Sequence, residues 1–151
     1  MQLNLPDASL RHRTNETGSL EVYDVFRKKY VRFTPEEQVR QQFLHFLTIE
    51  KRFPLSHISV ERRLWVNRMP RRFDAVVFRP DGSPLVLLEF KAPSVKLTQA
   101  VFDQIAAYNF VLKADYLMVS NGLAHYCCRM DYENHRYSFL ETIPDFGVLD
   151  A

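Results

Sequence analysis

The chain has 151 residues, 46% hydrophobic and 13% aromatic, with a formal net charge of +2. That length suits one domain burying roughly 68–70% of its unfolded surface, and the composition excludes a disordered chain. So small a charge excludes bulk electrostatics as grounds for a nucleic-acid partner, leaving only local clusters to argue from. The two cysteines, Cys127 and Cys128, are adjacent, which excludes a disulfide framework and a C-x-x-C metal spacing. No apolar stretch approaches the ~20 residues that span a bilayer. Met1–Leu10 lacks the basic start and apolar run of a signal peptide, so a cytoplasmic chain with no membrane partner is expected.

Residues 1–33 read as a polar N-terminal arm, with a short strand or hairpin over 20–33 (LEVYDVFRKKYVRF). A helix begins at Thr34-Pro35-Glu36-Glu37: Thr34 caps, Pro35 suits the first helical position and Glu37 completes a capping box. Val39, Phe43, Phe46 and Leu47 give it an apolar face to about Lys51, and Pro54 ends it. Residues 57–66, 72–79 and 84–91 read as strands. Asp81-Gly82 between the last two is a two-residue hairpin signal. A second amphipathic helix spans about 97–112, with Leu97, Val101, Ile105, Tyr108 and Leu112 on one face. The nearly continuous apolar run 115–120 (DYLMVS) suits a buried parallel strand, reached by a crossover from the preceding strand. Segments AHYCCRM and RYSFLE form a closing strand pair, with both cysteines buried. The fold class is therefore α/β: helix, three strands, helix, strand, with additions at both ends.

With Asp81 and Gly82 as the loop, Pro80 faces Ser83 and Asp74 faces Glu89. Opposed residues carry Cβ atoms roughly 4.5–5.5 Å apart. Alternation puts Lys91 on the same face. Two carboxylates this close repel unless a cation lies between them, and a hard ion such as Mg²⁺ suits oxygen ligands, with the Phe90 carbonyl as a further donor. The same residues could equally form a plain cross-strand salt bridge.

On the first helix, Glu36 and Arg40 are four apart. They read either as an ordinary ion pair or as Glu36 aimed at the carboxylate site, with Glu37 reserved for the cap. Gln104 and Tyr108 share a face of the second helix, where Gln104 could order a water or phosphate near Lys91. Arg62, Arg63, Arg68, Arg71 and Arg72 cluster just before Asp74. Singly they read as solvated surface; together they could hold phosphates. Trp65, Phe73 or Tyr30 could stack on a base or fill the core. With four glycines in the chain there is no phosphate-cradling loop, so no ATPase or motor is expected.

The segments TPEEQVRQQFLHFL (34–47), RRFDAVVF (71–78), LLEFKAPS (87–94), FDQIAAYN (102–109) and YLMVSNG (116–122) together resemble the N-terminal domain family of type I restriction enzyme R subunits. More widely they resemble PD-(D/E)xK nucleases of the RecB-like group with a Q-x-x-x-Y helix. The segment HYCCRMDYEN (125–134) is most like small stand-alone Bacteroidetes-type members. The resemblance implies a restriction-endonuclease-like α-β-β-β-α-β core over 34–151, with a central mixed sheet flanked by helices. It also implies Mg²⁺-dependent (or Mn²⁺-dependent) cleavage of DNA phosphodiesters. Asp74 and Glu89 would bind metal, Lys91 would be catalytic, Glu36 would be the helix acid, and Gln104 with Tyr108 the supporting pair. Phe73 stands where the motif's name has proline. DNA is the implied partner, with other restriction–modification or helicase subunits as further ones. No helicase motor accompanies these segments, so translocation is not expected of this chain. A non-catalytic or partner-dependent nucleic-acid-binding module on the same fold is the alternative.

Overall fold

The computed structural model describes residues 1–66 and 68–150. Its first long helix, α1 (Pro35–Glu50), starts where the capping residues place it, with Thr34 Oγ1 accepting from the Glu37 N–H at 3.0 Å. Before it, β1 (His12–Thr14), β2 (Leu20–Asp24) and β3 (Lys29–Arg32) form an antiparallel sheet of their own. The hairpin expected over 20–33 is thus present, and the arm before it contributes a third strand.

A short 3-10 turn, Leu55–His57, leads into the main sheet. Its strands are β4 (Ile58–Val66), β5 (Met69–Phe78), β6 (Pro84–Phe90), β7 (Tyr116–Ser120), β8 (His125–Asp131) and β9 (Arg136–Phe139), paired in chain order. Only β6–β7 is parallel, because α2 (Gln99–Leu112) carries the chain across between them. A final turn of helix, α3 (Phe146–Leu149), closes the chain. The α-β-β-β-α-β order matches the expectation. The N-terminal strands form a separate sheet, while the C-terminal pair extends the main one.

Both faces of the sheet are buried. Val39, Phe43, Leu44 and Leu47 of α1 pack on Ala75, Val77, Val86, Leu88, Phe90 and Met118. Phe102, Ile105 and Ala106 of α2 pack on Val76, Leu87, Leu117 and Val119. Successive residues go to opposite helices, which is why these strands read as unbroken apolar runs. The buried stripe of α2 is Phe102, Ile105, Ala106 and Asn109, so the expected face of Leu97, Val101, Tyr108 and Leu112 flanks it instead. Asn109 is affordable in the core because it bonds both backbone groups of Ala114.

The β5–β6 hairpin corrects one expectation in detail. Its loop is Pro80-Asp81-Gly82, not Asp81-Gly82. The Arg79 N–H donates to the Ser83 carbonyl at 2.8 Å, and Gly82 takes the left-handed φ of +88° that closes the turn. This moves the register by one residue. A bulge at Leu85 moves it back: Phe78 faces Pro84, yet Val77 faces Val86 and Ala75 faces Leu88. Extended one step, that restored register sets Asp74 against Glu89, as the simpler loop had also implied.

The β4–β5 ribbon changes sides midway. Val60 and Ala75 face α1, and strict alternation would send Leu64 and Phe73 there too. Both pack on the α2 side instead. The inversion falls on the opposed positions Glu61 and Asp74, where Glu61 holds a left-handed φ of +52°. An irregularity of this kind re-aims side chains.

Candidate active site

Asp74 occupies the inversion, and both of its oxygens are engaged. Oδ2 accepts from the Phe90 N–H at 2.7 Å, and Oδ1 accepts from Arg40 Nη2 at 3.3 Å. Glu89 faces it from β6. Its carboxyl lies beside that of Asp74, near enough for the Asp74 charge to act on it. Burial, then the Asp74 charge, pushes Glu89 up to about 9, against a counter-pull from Lys91. Glu89 therefore keeps its proton well above the usual carboxylate range in the absence of a cation.

Glu36 comes to the same place from the first turn of α1. Burial and the Asp74 charge raise its pKa, while Arg40 and Lys91 oppose the rise. The structure thus places Glu36 and Glu89 within electrostatic reach of Asp74 and of Lys91. It does not do so for the α2 pair. Gln104 is exposed, with no side-chain hydrogen bond among the described residues. Tyr108 lies under the Arg71 guanidinium, 4.6 Å from ring centroid to carbon.

Behind Asp74 lies an ion network that the sequence reading missed. Arg40 Nη1 bonds Glu37 at 3.0 Å and approaches Glu61 at 3.5 Å. Arg27, from the β2–β3 turn, pairs with Asp24, with Glu37 at 2.7 Å and with Glu61 at 3.1 Å. Two expectations are corrected here. Glu37 does not complete a capping box, because its carboxylate turns inward to Arg27, Arg40 and Gln41. Arg40 does not pair with Glu36, because Glu37, Glu61 and Asp74 surround it. The available signal was Glu37, Arg40 and Gln41 sharing the apolar face of α1, where buried polar groups need partners.

The carboxyls Asp24, Glu36, Glu37, Glu61, Asp74 and Glu89 are served by three cations, Arg27, Arg40 and Lys91. The excess lies at the Glu36–Asp74–Glu89 end. Among the described residues no three His, Cys, Asp or Glu side chains converge into a metal cage. Two carboxylates with open positions suit Mg²⁺, which dehydrates reluctantly and completes its shell with waters and substrate phosphate. The donor set therefore fits a hard divalent ion.

The arginine cluster lies on the ribbon beyond the inversion. Arg62, Arg63, Arg68, Arg71 and Arg72 are all exposed. Of the aromatic candidates, Phe73 is buried, Tyr30 lies 3.8 Å from Arg13, and Trp65 is 74% exposed.

The model of the family described as type I restriction enzyme R protein N terminus matches residues 35–144. The chain belongs to that family. The match runs from the start of α1 to beyond β9, leaving the N-terminal sheet outside. It ties the chain to restriction–modification and to a nuclease-related function. No match is found among curated proteins. No helix of the described residues is long and apolar enough to cross a membrane.

Proposed function

We propose that this domain is a Mg²⁺- or Mn²⁺-dependent deoxyribonuclease of the PD-(D/E)xK kind, hydrolysing DNA phosphodiesters. One observation carries the reading: the restored β5–β6 register sets Glu89 against Asp74, where burial and then the Asp74 charge push Glu89 up to about 9. A half-buried acid pair in that state gains from a cation. Asp74 and Glu89 would hold the ion, and Glu36, which feels the Asp74 charge, would orient a water beside it. The bound ion would neutralise phosphate charge and lower the pKa of a water. Lys91, on the next outward position of the same strand face, stabilises negative charge developing at the phosphate. Arg40 and the Phe90 N–H fix the Asp74 carboxylate in one orientation. Tyr108 holds Arg71 at the foot of the arginine ribbon, and Gln104 is free to meet the DNA backbone. The ribbon arginines supply affinity that does not depend on sequence.

The test is cleavage of plasmid and oligonucleotide DNA with and without Mg²⁺ or Mn²⁺. Glu89→Gln and Lys91→Ala are each expected to lower the rate ~10²-fold or more while the fold is kept. Cleavage that survives both changes would sink the assignment.

A second reading, a non-catalytic or partner-dependent nucleic-acid-binding module, is favoured by Arg40, which already places a positive charge against Asp74 Oδ1. It predicts salt-sensitive DNA binding with no Mn²⁺ uptake in calorimetry. Uptake that vanishes in Glu89→Gln supports the nuclease instead. Other restriction–modification or helicase subunits are the partners that the second reading would require.

A further inference from the structure

The outer half of the β4–β5 ribbon has two unlike faces. On the α2 side, Leu64 and Phe73 enter the core, Arg71 covers Tyr108 and Arg62 lies over Phe78. On the opposite side, Arg63 is directly opposed to Arg72 and Trp65 to Pro70. All four are exposed, Trp65 to 74%. No acidic residue occurs between Arg62 and Phe73. Among the described residues, none of Arg62, Arg63, Arg68, Arg71 and Arg72 forms an ion pair.

Folding explains neither feature of that face. Like charges directly opposed across a strand pair are destabilising. An uncovered indole on a ribbon leaves its apolar surface in water. A single chemistry answers both: a polyanion that also offers flat aromatic faces. Intact duplex supplies the charge but keeps its base faces stacked inside. An unpaired strand supplies both.

We propose that Trp65, flanked by Arg63 and Arg72, is a stacking platform for an unpaired base. The DNA held beside the Asp74–Glu89 site then contains a single-stranded or frayed segment. This rests on the nuclease reading for its use but not for its test. Trp65 is the only tryptophan in the chain, so its fluorescence reports on this face alone.

The experiment titrates the full chain, in EDTA, with oligo(dT) and with an equally long duplex whose ends are closed by loops. Oligo(dT) is expected to quench the tryptophan strongly and the closed duplex weakly. Trp65→Ala is expected to lower affinity for a labelled oligo(dT) about tenfold or more, with Trp65→Phe intermediate. Arg63→Ala and Arg72→Ala should each reduce the salt slope of binding by about 0.7. Equal quenching by the closed duplex would overturn the proposal, as would unchanged oligo(dT) affinity in Trp65→Ala. Absence of DNA binding would also overturn it and mark the face as a protein contact. Cleavage is read separately. Mg²⁺-dependent cutting with no role for Trp65 removes this inference and leaves the nuclease; strong quenching without cutting does the reverse.

Discussion

The proton on Glu89 links the site to pH. An unfolded Glu89 ionises near 4.5, whereas the folded one is pushed up to about 9 by burial and the Asp74 charge. The proton therefore stabilises the metal-free fold fully below pH 4.5, and that stability is lost as pH rises through about 9. Thermal melts in EDTA should show Glu89→Gln gaining on the wild type steadily across this window. A constant gap between the two curves would contradict it. Arg40 is the other decisive residue. Its side chain is 7% exposed and joins Glu37, Glu61 and Asp74. Arg40→Met leaves Glu37 with Arg27 as its one cation and Asp74 without a paired one, and should cost ~3–5 kcal/mol in urea unfolding. A loss below 1 kcal/mol would show that the network is dispensable.

Among the elements, the β5–β6 hairpin shows how a correct register can follow from an incorrect turn. Asp81-Gly82 marks the turn but not its length. A third loop residue, Pro80, shifts the pairing, and the bulge at Leu85 shifts it back. Bulges depend on packing against neighbours and leave no local sequence mark. The glycines separate conformational from steric demands. Gly82 and Gly122 both hold positive φ, but a Cβ at Gly82 meets nothing within 4 Å, whereas at Gly122 it meets Leu3 Cδ2 at 2.8 Å. Gly82→Ala should therefore cost ~1 kcal/mol and Gly122→Ala measurably more, compared by chemical denaturation. Equal costs would mean that the Leu3 contact yields freely. At Glu61 the left-handed backbone and the carboxylate contacts pull in opposite directions. Glu61→Gly relieves the strain and removes the acid, so Glu61→Gln isolates the charge.

For the whole molecule, the first 33 residues are more than an arm. Leu3 and Val22 are buried hydrophobics, Asp24 is fully buried, and Arg27 reaches from the β2–β3 turn into the network behind Asp74. A fragment covering 34–151 lacks that cation and uncovers the face under Leu3. It should lose at least the ~3–5 kcal/mol of a broken buried ion pair, read as an earlier denaturation midpoint than the full chain. An unchanged midpoint would make 34–151 self-sufficient.

The sequence by itself determined the element order, the capped start of α1, the buried character of β5–β7 and the D…ExK hairpin. These follow from periodicity and turn chemistry, which act over a few residues. Tertiary structure alone decided that Glu37 turns inward, that Arg40 leaves Glu36 for Asp74, that Trp65 stays in water while Phe73 is buried, and that Gln104 stands apart. Each depends on which distant groups arrive at the same point. The pleat inversion at Glu61 and Asp74, where Glu61 holds a left-handed φ of +52°, sets several of those meetings, and no local pattern encodes it.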